Sequence, residues 1–287
     1  MEAVNFGGLE EVYTHYESAR VVILPVCFDK TSTWLKGSDR GPRAIIDASP
    51  NLELYDIDTG AEVYREGIYT AAEIRPKSSA VLNQAVYSAV KTHLENGKYV
   101  VLLGGEHSVS YGAIRAHLDR SMDMSVLHLD AHTDMRDIYE GNAYSHACLM
   151  ARVRELTCNI TSVGIRSMDS SELKNLDMKR VFLARDMVRN DRWIRRVVRQ
   201  LSTHVYLSID LDVFDPGIMP STGTPEPGGL TWYQVTGFLK EVVRRKCIVG
   251  FDVVELCPGS NKAPDFLAAK LVYTLLSYIH HYKSDVV

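Results

Sequence analysis

The stretch Met124-Ser125-Val126-Leu127-His128-Leu129-Asp130-Ala131-His132-Thr133-Asp134 decides how the chain is read. An apolar, strand-forming run passes directly into imidazole and carboxylate side chains at positions 128, 130, 132 and 134. With a side-chain period of two, an extended segment would turn all four to one face. A buried strand with a polar tip is how an open α/β sheet presents a site, just beyond the carboxyl ends of its strands. Residues i and i+2 lie roughly 6.5 to 7 Å apart on a strand, a strained reach for two ligands of one ion but a natural one for two ions side by side. Binuclear hydrolytic centres hold their ions about 3.5–4 Å apart, so the stretch reads as half of such a centre.

Working outward, further strand-like runs fall at 21–26, 99–103, 160–165, 204–209 and 247–254. Tyr99-Val100-Val101-Leu102-Leu103 is continuously apolar, the mark of a strand covered on both faces. Helical spacing of apolar residues predicts helices over 42–48, 79–96, 109–118, 146–156, 191–201, 232–243 and 264–279. Strands alternating with helices imply right-handed βαβ units, and hence an α/β fold of three α/β/α layers around a mainly parallel sheet. Neither half of the 287 residues shifts in composition, and no repeat or linker interrupts them, so 1–287 reads as one domain.

The totals exclude several classes of function. A net charge of −4 with both signs interspersed argues against nucleic acid and against a basic membrane-surface helix. No apolar run approaches the roughly 18 residues of a membrane span, and Met1-Glu2-Ala3-Val4-Asn5 lacks a basic leader. Five cysteines without a CxxC pair indicate neither a disulfide framework nor a zinc knuckle, so a reducing cytoplasm is the expected location.

Ligand-type residues stand at the tips of three strands: His107, then Asp130, His132 and Asp134, then Asp210 and Asp212. Parallel strands deliver their carboxyl ends to one edge, where these six would converge, with Asp130 and Asp210 able to bridge two ions. Carboxylates and imidazoles without thiolate favour Mn2+ or Mg2+ over zinc, and the histidines tilt the choice to Mn2+. Two such ions generate hydroxide near neutral pH, so hydrolysis is the expected chemistry. Blander readings exist for the parts, since Asp-x-Asp can stabilise a turn and His107 could cap a helix. Crowding all these ionisable groups together without a metal would leave costly unpaired charge.

Gly104-Gly105-Glu106-His107-Ser108, Leu129-Asp130-Ala131-His132-Thr133-Asp134 and Ser208-Ile209-Asp210-Leu211-Asp212-Val213-Phe214-Asp215-Pro216 resemble, in order and spacing, the signature motifs of the ureohydrolase (arginase/agmatinase) family. The likeness runs from Gly41-Pro42 to Asp252-Val253-Val254-Glu255-Leu256, nearly the whole chain. It implies two Mn2+ ions per subunit. His107, Asp130, Asp134 and Asp210 would hold one, and Asp130, His132, Asp210 and Asp212 the other. It further implies that Glu255 pairs with the substrate guanidinium and that His146 shuttles protons. A metal-bridging hydroxide would attack the guanidinium carbon, and Asp134 would relay the proton to the leaving amine. Thr224 resembles part of a family loop beside the cleft. A homo-oligomer, trimer or hexamer, is also implied. His128 is not a ligand in the family pattern and reads as a supporting group, Asp215 as a turn former, and Asp252 as a buried structural carboxylate.

Arginases of this family grip the α-amino acid end of arginine with a segment of the form Ser-Gly-Asn-x-His-Gly. This chain has Asn142-Ala143-Tyr144-Ser145-His146-Ala147, which resembles the agmatinase form. The expected reaction is therefore hydrolysis of agmatine to putrescine and urea. Because Ala147-Cys148 stands where agmatinases commonly have Gly-Thr, 4-guanidinobutyrate, arginine and formimidoylglutamate remain alternatives. Two readings from other classes stand beside these. One is a catalytically inert metal-binding relative; the other is a two-metal phosphoesterase using Arg136 and Arg166.

Overall fold

A computed structural model describes residues 5–188 and 190–282. Among the described residues, eight strands form a single sheet in the order β2-β1-β3-β8-β7-β4-β5-β6, every neighbouring pair parallel. They are β1 Val21–Val26, β2 Ile68–Thr70, β3 Tyr99–Gly104, β4 Ser125–Leu129, β5 Ile160–Ile165, β6 Val181–Leu183, β7 His204–Asp210 and β8 Cys247–Val254. The helices are α1 Gly41–Ala48, α2 Ser79–Glu95, α3 Ser110–Leu118, α4 Leu149–Arg154, α5 Ala184–Met187, α6 Arg192–Gln200, α7 Trp232–Val243 and α8 Ala263–Tyr282. Among the described residues no helix is long and apolar enough to cross a membrane.

The strands alternate between two cores because their side-chain period is two. Val101 and Leu103 of β3 join the core that holds Ile45 of α1, Val197 of α6, Phe238 of α7 and Leu271 of α8. Val100 and Leu102 join the other, with Val86 of α2, Ile114 of α3 and Leu149 of α4. Burying both faces makes the central strands uniformly apolar, as the sequence reads, and completes three α/β/α layers.

Two short edge strands, β2 and β6, escaped the sequence reading, as did α5. Each is three or four residues long, too short for a hydrophobic period to register. The segment expected to be helical over 146–156 divides into a tight turn, His146–Cys148, and the shorter helix α4.

Sheet order decides where a site can form. β3, β8, β7 and β4 are contiguous at the centre, although β3 and β4 are consecutive in sequence. The crossover between them skips two positions that the chain fills only at its end. Such a reversal opens a crevice at the carboxyl edge, and all three motif-bearing strands, with β8 before Glu255, end there.

Candidate metal centre

His107 follows β3 through Gly104-Gly105-Glu106. Gly105 is required here, because a Cβ on it would lie 2.0 Å from the Phe28 carbonyl oxygen. That closeness lets Glu106 N donate to Phe28 O at 2.9 Å, which pins the strand exit against the loop after β1. His107 is 1% exposed. Its Nδ1 lies 3.1 Å from Asp130 Oδ2, 3.1 Å from Asp134 Oδ2 and 3.5 Å from Asp210 Oδ2.

The expectation that 128, 130, 132 and 134 share a strand face holds only for the first two. β4 ends at Leu129, and Asp130 Oδ1 then accepts the backbone N–H of His132, folding the chain into a turn. Asp134 has φ 53°, a left-handed conformation that non-glycine residues seldom adopt. Its carbonyl accepts Met150 N at 3.0 Å and Ala151 N at 3.2 Å, so the start of α4 holds it there. The side chains of Asp130, His132 and Asp134 therefore gather around a turn. His128 remains on β4, its Nε2 2.8 Å from Asp130 Oδ2, within the same group of ring and carboxylate atoms as His107 and Asp134, and its Nδ1 3.1 Å from Ser162 Oγ.

The result is two clusters of ligand atoms with Asp130 in both. Oδ2 faces His107 and Asp134, whereas His132 Nδ1 lies 3.5 Å from Oδ1 and 2.9 Å from Asp212 Oδ2. Asp210 Oδ1 accepts Asp212 N at 2.8 Å, leaving Oδ2 turned toward His107. Glu255, after β8 and at φ 67°, accepts His107 N on Oε1 at 2.8 Å. Strained backbone at Asp134 and Glu255 thus aims two of the carboxylates, a concentration usual at functional sites.

Charge accounting tests whether cations fit. The hydroxyl of Ser208 donates to Asp252 Oδ1 at 2.9 Å, so its oxygen must accept from His107 Nε2, also at 2.9 Å. Nδ1 then faces three carboxylate oxygens. In the metal-free protein, against the cost of burial, Asp130 and Asp134 raise the His107 imidazole well above its ordinary range, so that it holds a proton where a cation would otherwise sit. Burial, and then Asp212 and Asp130, push the Asp210 carboxyl well above its ordinary range, and burial and then Glu106 do the same for Glu255. Hard divalent cations placed among these atoms would relieve both strains, and the donor set suits them. Ser208 and Asp252, which the sequence reading had not placed behind a ligand, fix the tautomer of His107. Ser208→Ala is expected to weaken metal binding about 10- to 100-fold with an unchanged circular dichroism spectrum. Wild-type affinity in a metal titration would show that His107 does not depend on this partner.

A cleft of about 260 Å³ opens over the clusters, and His107, His132, Asp134, His146, Thr224 and Glu255 all line it. His146 lines this cleft, its ring edge-on to that of Tyr139 at 5.8 Å. Burial, and then His132 and His107, which are protonated while no metal is bound, push its imidazole down to about 4 in the metal-free protein. The residues forecast as ligands, proton carrier and guanidinium acceptor are thus brought together. Those needed by the phosphoesterase reading are not free. Arg166 is consumed by the backbone carbonyls of Glu226, Gly164, Asp212 and Phe214, and Arg136 faces Asp169 at 3.5 Å and Glu172 at 3.8 Å. Glu172, Glu106 and Thr31 were not singled out in the sequence. Glu172 accepts from Thr133 Oγ1 and Met135 N and so steadies the Asp134 turn; only the structure reveals such a partner across 37 residues or more.

The sequence model of the arginase family matches residues 19–277. Among curated relatives, the N(1)-aminopropylagmatine ureohydrolase of Synechocystis is 39% identical over 280 residues, spanning 93% of this chain and 92% of that one. The agmatinase of Pyrococcus horikoshii is 31% identical over 270 residues, covering 91% and 92%. Among solved structures, the agmatine ureohydrolase of Thermoplasma volcanium has a TM-score of 0.87 at 34% identity, covering 96% of this chain and 94% of that one.

Proposed function

The chain belongs to the arginase family, and on that premise we propose that it is a manganese-dependent ureohydrolase that splits the guanidinium group of N(1)-aminopropylagmatine into urea and the free polyamine. The observation that carries the reading is the pair of ligand clusters sharing Asp130, with Glu255 facing the same cleft. Two Mn2+ ions held by His107, Asp130, Asp134 and Asp210 on one side and Asp130, His132, Asp210 and Asp212 on the other would supply a water-derived nucleophile near neutral pH.

The remaining roles belong to the chain's own side chains. Glu255 offers the guanidinium a charge-assisted hydrogen bond and orients its carbon toward the clusters. Asp134, in the cleft wall, would take the proton that water gives up and pass it to the amine nitrogen as the C–N bond breaks, and His146 would exchange protons between the cleft and bulk water.

Support for an amine tail comes from the cleft's charge. Asp169 and Glu172 line it beside its one arginine, Arg136, two carboxylates to one guanidinium. The Glu172 oxygens already accept from Thr133, Met135 and Asp169, so the excess negative charge is that of Asp169. A carboxylate tail, as in arginine or 4-guanidinobutyrate, would meet that acidic wall, whereas an ammonium tail would be attracted. Asn142 is unavailable to grip an α-amino acid, since its side chain bonds Ser79 Oγ and Tyr144 N. The choice of the aminopropyl compound over agmatine rests on the relative of that name at 39% identity, against 31% for the agmatinase. Agmatine is the second reading, favoured by the 142–147 segment and by the agmatine ureohydrolase of Thermoplasma volcanium.

The test is urea release by the Mn2+-loaded protein, with a chelated control, on N(1)-aminopropylagmatine, agmatine, arginine and 4-guanidinobutyrate. Chelator-sensitive turnover is expected on the two amines, with kcat/KM higher for the aminopropyl compound. A reversed order would install agmatine. Preference for either carboxylate-bearing substrate would overturn the charge argument, and no urea from any of the four would overturn the ureohydrolase reading.

A further inference from the structure

We propose that Thr31 is a positioning residue for His146: its hydroxyl fixes the imidazole tautomer, with the proton on Nδ1 and the Nε2 lone pair left free on the ring's other edge. The inference rests on the reading of His146 as the group that carries protons at the cleft.

Thr31 stands on the loop between β1 and α1 that forms one cleft wall through Ser32, Thr33, Trp34 and Leu35. Its side chain meets two segments distant in sequence. The hydroxyl lies 2.7 Å from Oε1 of Glu106, a carboxylate with no exposed surface that also accepts Thr31 N at 3.3 Å and Ser108 N at 3.1 Å. The same Oγ1 accepts the backbone N–H of His146 at 3.0 Å and lies 3.2 Å from His146 Nδ1.

The proton count leaves little choice. A hydroxyl has one hydrogen to donate and two lone pairs to accept with. A carboxylate can only accept, so the Thr31 hydrogen is committed to Glu106. One lone pair takes His146 N, and what faces Nδ1 is the other. A neutral imidazole can meet a lone pair only with its N–H, which places the ring hydrogen on Nδ1 and leaves Nε2 unprotonated.

Ser145 Oγ also lies 3.2 Å from Nδ1. Were its hydroxyl to donate to Nδ1, the nitrogen lone pair would stand against that of Thr31, a repulsive contact inside a mostly buried pocket. A ring N–H shared between the two oxygens satisfies both. Ser145 therefore assists, and Thr31, tied down by Glu106, sets the direction.

The expected consequence is a proton acceptor held ready at Nε2 without a search over tautomers. Thr31→Val removes the hydroxyl at nearly constant shape, and Thr31→Ser restores it. Protein labelled with 15N-histidine and loaded with diamagnetic Mg2+ reports the tautomer directly, with His146→Ala assigning the resonance. Wild type should give a protonated Nδ1, Thr31→Val should shift population to the Nε2-protonated form, and Thr31→Ser should return it. In urea release from the Mn2+ protein, Thr31→Val should lower kcat about ten- to a hundredfold, a part of what general acid–base groups contribute. KM should stay within about twofold, since Thr31 carries no binding role in the mechanism. An Nε2-protonated ring in wild type, an unchanged tautomer in Thr31→Val, or a kcat loss that Thr31→Ser fails to restore would each overturn the inference. Failure of the wild type to release urea would instead sink the ureohydrolase reading, and the nitrogen spectra would still decide whether Thr31 sets the tautomer.

Discussion

Asp130→Ala is expected to empty both halves of the metal centre and to lower urea release by at least about a thousandfold, because several kcal/mol of charge stabilisation leave with the ions. Asp130 is 1% exposed, and it is the residue common to both ligand clusters. Its two oxygens face different partners: Oδ2 the Nδ1 of His107 at 3.1 Å, Oδ1 the Nδ1 of His132 at 3.5 Å. Alanine also frees the His132 backbone N–H, so part of the loss would come from an unfolded turn. Asp130→Asn separates the effects, since an amide oxygen can still accept that N–H but carries no charge for a bridging position. Metal content by plasma mass spectrometry after dialysis should fall from about two ions per chain toward none in both variants. His132→Ala, which touches one cluster, should lose about one of the two. Equal losses in His132→Ala and Asp130→Asn would mean that the clusters are not separate sites bridged by Asp130.

Much of this arrangement was legible in the residues. The central strands could be read because burial on both faces makes them continuous apolar runs, as in Tyr99 to Leu103, and the ligand candidates because they stand at the ends of such runs. What could not be read was either too short or too distant. β2 and β6 are three residues each, without room for a period. The path of 130–134 was misjudged as extended, since nothing in the composition announces that Asp130 will fold the chain around its own carboxylate or that α4 will hold Asp134 at φ 53°. Partners such as Thr31 for His146, 115 positions away, or Asp252 for Ser208, 44 away, depend on which strands are neighbours in the sheet. Asp252 illustrates the difference. Its residue type and apolar flanks predict a buried carboxylate, which it is, but its place behind a candidate ligand follows only from β7 lying beside β8.

Glu255→Gln should leave the metal centre filled and still remove most of the turnover, and the reason lies in which atoms the amide can imitate. One carboxylate oxygen accepts His107 N at 2.8 Å. Glutamine can keep that bond with its carbonyl oxygen, which supports His107 and predicts near-normal metal content. Its NH2 group then takes the place of the second oxygen, presenting donors to a guanidinium that is itself only a donor. Truncating one side of a buried, hydrogen-bonded charge pair costs about 2–5 kcal/mol, roughly a 30- to 5000-fold fall in kcat/KM. The metal-free protein provides an independent check. The Glu255 carboxyl is pushed well above its ordinary range by burial and then by Glu106. An acid whose folded pKa is raised binds its proton more tightly folded than unfolded, so its ionisation lowers stability as pH rises from the unfolded toward the folded value. Glutamine removes that penalty, and at pH 7 the metal-free variant should melt no lower than metal-free wild type. Lost activity together with lost metal would reassign Glu255 from the substrate to the support of His107, whereas activity near wild type would remove it from the reaction altogether.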